Sequence, residues 1–115
     1  MPTLIIKTNA DLARVDHDAL LKTVSLAVAE MLAKPERYVM ILLEPNPYMC
    51  FGGDRSPLAY LELKSLGLPE GRTQEFSATL CGLMQQHLRI PPDRIYIEFA
   101  SPDRHLFGFN AGTFG

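Results

Sequence analysis

A chain of 115 residues, 47% hydrophobic and 21% charged, is long enough for one compact domain with a real core and too short for two. Its formal charge of -2 and the scatter of its 11 Lys and Arg residues leave no electrostatic footprint for nucleic acid. No run of about 18 apolar residues marks a membrane span and no basic-then-apolar leader opens the chain, so a cytoplasmic product is expected, with non-classical secretion left open.

Met1-Pro2 precedes a β-branched, apolar run, Thr3 to Thr8, that reads as a first strand. A Met-Pro start is commonplace and carries no argument alone. Asp16 can cap a helix whose apolar residues Leu20, Val24, Val28, Met31 and Leu32 fall three and four apart. Pro35 disfavours helical geometry in Lys34, so this helix should end near Ala33. Arg37 to Glu44 reads as a second strand, apolar on both faces and stopped by Pro45-Asn46-Pro47. Leu58 to Lys64 alternates as a third strand, and a second amphipathic helix runs from about Thr73 to before Pro91-Pro92. Arg94 to Phe99 is the fourth long strand, and the aromatic, Gly-rich tail from Leu106 can add short extended pieces. Cys50 and Cys81 are too few and too far apart for a disulfide framework or zinc site, and are expected to be buried and inert. His17, His87 and His105 lack metal-ligand spacing.

A shift of 57 residues lays Leu4, Ile6 and Thr8 on Leu61, Leu63 and Ser65, and Pro35-Glu36-Arg37 on Pro92-Asp93-Arg94. Leu26 and Met31 fall on Leu83 and Leu88 by the same shift. The chain thus reads as one domain, 1–115, made of a duplicated β-α-β unit, approximately 1–57 and 58–115. The expected fold is α+β: a two-layer, ferredoxin-like domain with two helices on one face of a four-stranded mixed sheet. The other face, with strands apolar on both sides, would then expose a patch that calls for self-association. A crossover helix returns along the sheet, so Lys34 should lie at the Pro2 end of the domain, and Ser65-Leu66 should come there too.

These residues resemble the tautomerase superfamily, specifically the macrophage migration inhibitory factor family, along the whole chain. The resemblance is carried by Met1-Pro2, Thr8-Asn9, Lys34-Pro35, Met49-Cys50-Phe51-Gly52-Gly53, Ser65-Leu66-Gly67, Leu80-Cys81-Gly82-Leu83, Pro92 to Ile97, and Asn110 to Phe114. It implies a homotrimer with sites at subunit boundaries and a keto-enol tautomerase acting on phenylpyruvate-like or dopachrome-like compounds, with no cofactor and no metal. The catalytic base it implies is the nitrogen of Pro2, freed by removal of Met1. A free α-amine titrates at about 7.7 to 8.0, so the site must favour its neutral form by an apolar surround and the nearby Lys34 cation. Lys34 is then the residue for the substrate carboxylate and enolate charge, helped by backbone N–H groups around Ser65 and Leu66. Tyr96 matches the family's pocket tyrosine, contributed by a neighbouring subunit.

Three departures alter the ring end of the pocket. Glu98 replaces the family's asparagine, and Phe107 and Phe109 replace its valine and tryptophan. The family's Cys-x-x-Cys is also absent, the stretch reading Leu58-Ala59-Tyr60-Leu61, so thiol redox activity is not expected. Two competing implications remain: a cytokine-like signalling or mimicry protein acting through a receptor, and a trimeric scaffold with residual activity.

Overall fold

The computed structural model describes residues 1–115 as β1 (Thr3–Thr8), α1 (His17–Leu32), β2 (Met40–Pro45), β3 (Ala59–Lys64), α2 (Thr73–Leu88), β4 (Ile95–Ala100), and a small hairpin of β5 (Gly108–Phe109) and β6 (Gly112–Thr113). The four long strands lie in the order β2-β1-β3-β4. β1 is parallel to β2 and antiparallel to β3, which is parallel to β4. Two β-α-β crossovers therefore meet through their first strands, giving the α+β sheet with two helices.

Alternation along the strands decides which face is covered. Leu4, Ile6 and Thr8 of β1 are buried, and register sets them opposite Leu63, Leu61 and Ala59 of β3. Onto this face pack Leu20, Val24, Val28 and Leu32 of α1, and Phe76, Leu80, Met84 and Leu88 of α2, each set spaced four apart as one helical stripe. Burying each such large side chain contributes about 1.5–3 kcal/mol. Thr8 is tolerated among them because its hydroxyl donates to the Leu58 carbonyl at 2.6 Å and accepts from the Ala10 amide at 3.0 Å.

Asp16 starts α1 by accepting from the Ala19 amide at 3.0 Å. The helix stops at Ala33, whose φ of 52° turns the chain left-handed while the Lys34 amide donates back to the Ala29 carbonyl at 3.0 Å. α2 ends in the same way at Arg89, φ 57°.

Five expectations are corrected. β2 begins at Met40 rather than Arg37, because Glu36–Tyr38 winds into a 3-10 turn in which Tyr38 and Val39 donate to the Pro35 and Glu36 carbonyls. The same turn at Pro92–Arg94 delays β4 to Ile95. The helices do not keep the 57-residue shift: their buried stripes match at 56, and Leu26 is exposed. The uncovered sheet face is mixed rather than strongly apolar, with Ile5, Leu42, Tyr60 and Tyr96 set among Lys7, Glu44, Glu62, Lys64 and Glu98. Finally, Cys50 is exposed and only Cys81 is partly buried.

Candidate active site

Pro2 sits immediately before β1, with its side chain fully buried, and its carbonyl accepts from the Met40 amide at 2.9 Å. The ladder to β2 thus seats the residue by its carbonyl, without calling on its nitrogen. Because α1 runs back along the sheet, its last turn returns to this end and delivers Lys34 there. Two cations face the chain start: burial first, then Lys34 and Arg104, hold the α-amino group of Met1 below its ordinary range. Thr3 pairs with Lys64, so the end of β3 arrives here too. The Ser65 amide is taken by the Ala100 carbonyl at 3.1 Å. The side chains of Ser65 and Leu66 are buried, and the Ser65 hydroxyl turns to the Leu66 carbonyl at 3.3 Å. What this segment offers a ligand is therefore main chain.

An aromatic wall stands at the same end. Tyr38, two residues before Met40, meets Phe109 and Phe114 edge-on at 5.8 and 6.4 Å between ring centres. Phe114 stacks on Phe109 at 5.4 Å and lies 5.9 Å from Phe107. The β5–β6 hairpin makes this possible: Asn110 and Ala111 both adopt positive φ at its turn, and the Phe114 amide returns to the Phe107 carbonyl at 3.2 Å. Phe107 and Phe109 are thus gathered with Phe114 at Tyr38, two residues before the Met40 amide that holds Pro2.

A family model described as macrophage migration inhibitory factor matches residues 1–115. The chain belongs to the macrophage migration inhibitory factor family. It is 35% identical over 115 residues to the macrophage migration inhibitory factor of Meriones unguiculatus, covering 99% of both chains. It is 38% identical over 116 residues to the homologue of Brugia malayi, covering 100% of both. Among solved structures, a Prochlorococcus marinus homologue superposes with a TM-score of 0.92 at 43% identity, over 98% of this chain and 99% of that one. The Trichinella spiralis protein superposes at 0.91 with 31% identity, over 97% and 99%.

Not every residue carried over from the macrophage migration inhibitory factor family joins Pro2 within the chain. The β1-β3-β4 register puts Ala100 of β4 level with Thr3, leaving Tyr96 about 13 Å further down its strand, four residues at about 3.3 Å each. Tyr96 instead lies against Phe51, 4.7 Å between ring centres, with its ring exposed. Glu98 stands on the uncovered face beside Glu62. The Tyr60 hydroxyl has its single proton to give either carboxylate, at 3.2 Å to Glu62 and 3.4 Å to Glu98. Partial burial, then these two carboxylates, push the Tyr60 phenol above its ordinary range.

Tyr38 and Arg104 belong to the Pro2 end and were not singled out by sequence, while Phe114 entered only as the end of the Asn110 to Phe114 stretch. A cleft of about 530 Å3 lies elsewhere, between the start of α1 and the end of α2 and lined by Arg14, His87 and Arg89 among others. It is a polar groove whose acids are already committed, Asp16 to the Ala19 amide and Asp11 to the Ala13 amide, and we set it aside as the reaction site.

Proposed function

We propose that this protein is a cofactor-independent keto-enol tautomerase acting on phenylpyruvate-like acids, with dopachrome-like compounds as further substrates. The reading rests on family membership and on one observation: a buried Pro2 immediately before β1, its carbonyl held by the Met40 amide, with Lys34 at the same end. Once Met1 is removed, Pro2 carries a secondary amine. Burial and the nearby cations disfavour its protonated form, leaving a neutral lone pair near pH 7.

The neutral nitrogen takes the proton of the enol hydroxyl as the carbonyl forms, and the proton is delivered to the adjacent carbon. The reverse direction removes that carbon's proton and returns it to oxygen. Substrate and product are isomers, so no electron acceptor or co-reactant is consumed. Lys34 holds the carboxylate and steadies enolate charge, helped by the main-chain N–H of Leu66, the Ser65 N–H being already given to the Ala100 carbonyl. Phe107 and Phe109 supply the wall for the ring.

Tyr96 and Glu98 enter this reading only from another subunit, since neither reaches Pro2 of its own chain. A homotrimer with sites at subunit boundaries supplies them, and its contacts cover the mixed face of the sheet. The test is the enol-to-keto conversion of phenylpyruvate by protein shown by intact mass to lack Met1. A rate no higher than buffer alone rejects the proposal.

A further inference from the structure

Arg104 is built into place beside the aromatic wall. Its Nε donates to the Phe114 carbonyl at 2.9 Å, and its own carbonyl accepts from the Phe107 amide at 3.3 Å. The first bond uses one of five guanidinium N–H groups and leaves the terminal nitrogens without an acceptor in the chain. Lys34 is likewise free. The ion pairs of the molecule are Lys64–Glu62 and Arg72–Glu75, and neither Glu36 nor Asp103, the acids nearest in sequence, pairs with Lys34 or Arg104.

The ring of Phe114, whose carbonyl fixes Arg104, lies among Tyr38, Phe107 and Phe109, while Tyr38 leads into the Met40 amide that holds Pro2. Arg104 is thereby anchored to the aromatic cluster at the end of the sheet where Lys34 and the buried Pro2 lie. Two cations at one end of the sheet, neither of them in an ion pair, favour an anion there. The α-amino group of Met1 senses both charges after the larger effect of burial.

We propose that Arg104 is a second substrate-binding cation, presenting its free N–H edge to the 2-oxo carboxylate end of the substrate while Lys34 engages the same anionic group. The proposal rests on the tautomerase reading and goes beyond it by making the carboxylate beside the reacting carbon a two-cation requirement. Neutral esters and aldehydes of the same ring size are then poor substrates.

The test compares the native protein, Arg104→Ala and Arg104→Lys, all lacking Met1, on phenylpyruvate and on its methyl ester. Arg104→Ala lowers the acid-to-ester ratio of kcat/KM roughly tenfold, the size of one hydrogen bond to a charged group, mainly through KM for the acid. Arg104→Lys recovers part of the ratio. An unchanged ratio overturns the proposal, even if both rates fall, because a merely structural role at the C-terminal carbonyl would depress acid and ester alike. Calorimetric binding of 3-phenylpropanoate, which has the ring and carboxylate but no keto group, separates the two readings. If the native protein turns over neither substrate, the tautomerase reading fails; Arg104 then stands if its replacement by Ala weakens 3-phenylpropanoate about tenfold, and falls if binding is absent or equal.

Discussion

The Met40 amide donates to the Pro2 carbonyl at 2.9 Å, so the first rung between β1 and β2 is made by main chain alone. Pro2→Gly keeps that rung while exchanging the prolyl secondary amine for a freely rotating primary one. We expect the variant to fold, with a melting temperature close to that of the parent. Its kcat/KM on phenylpyruvate should fall at least about 100-fold, the low end for loss of a positioned general base. A variant within a few-fold of the parent would remove Pro2 from the mechanism.

Charge at the site also sets a pH profile. On the proposed mechanism the neutral amine is the working form, and a nearby cation disfavours its protonation, so removing that cation should raise the amine pKa. Lys34→Ala should therefore move the acid limb of log kcat/KM to higher pH, apart from any loss in height. Burial, the larger cause at the α-amino group of Met1, stays in place at Pro2, so the limb should remain below that of a free prolyl amine. A limb that stays put or moves lower contradicts the assignment.

Tyr96 lies too far along β4 to reach Pro2 of its own chain, which makes complementation between subunits a direct check. Pro2→Gly and Tyr96→Ala proteins should each be impaired. Unfolded together and refolded as mixed trimers, they should regain activity above either parent, because some boundaries then pair a native Pro2 with a native Tyr96. Light scattering should give three times the chain mass. A monomer, or a mixture no better than its parts, rejects shared sites.

Arg94 secures the segment that carries Phe51. Its guanidinium donates to the carbonyls of Phe51, Asp54 and Ser56 at 2.9, 2.9 and 3.0 Å, with a longer bond of 3.4 Å to Pro57. Arg94→Ala should cost about 1–3 kcal/mol in urea unfolding, the range for losing hydrogen bonds to a charged group. Arg94→Lys should recover little, because an ammonium cannot span several carbonyls with a planar fork. Full recovery by Lys would show that only the charge matters.

Cys50 is exposed, whereas burial pushes the Cys81 thiol above its ordinary range, against a smaller opposing hydrogen bond with Ser77. Mild iodoacetamide at pH 8 should add a single label at Cys50, with Cys81 labelled only slowly or on unfolding. Peptide mass mapping reads the order; equal rates at both thiols would contradict it.

The helical stripes were legible because Leu20, Val24, Val28 and Leu32 repeat at one interval, and burial follows that interval in any two-layer domain. Strand starts were less so. Glu36, Arg37 and Tyr38 carry no local mark against extension, and only the turn closed on Pro35 takes them out of β2. At the site, Pro2, Lys34, Ser65 and Leu66 could be placed together because crossover geometry dictates which ends of the elements meet. Tyr38 and Arg104 could not. They are joined by the return of the C-terminal hairpin, a contact between distant parts of the chain that no periodicity announces.

The matched halves also differ where chemistry would need them alike. At the opposite end of the sheet, the residue immediately before β3 is Leu58, and its nitrogen is a peptide N–H donating to Asn9 Oδ1 at 2.9 Å. Beyond α2, the place of Lys34 is filled by the fully buried Ile90. The pseudo-symmetry thus belongs to the scaffold and stops short of the electrostatics. A circular permutant opened before Leu58, with the original ends joined, would keep every strand pairing while moving the free amine to an end with no lysine waiting for it. On the proposed mechanism, such a protein folds and is catalytically silent, which makes the location of the break in the polypeptide, rather than the architecture, the carrier of the activity.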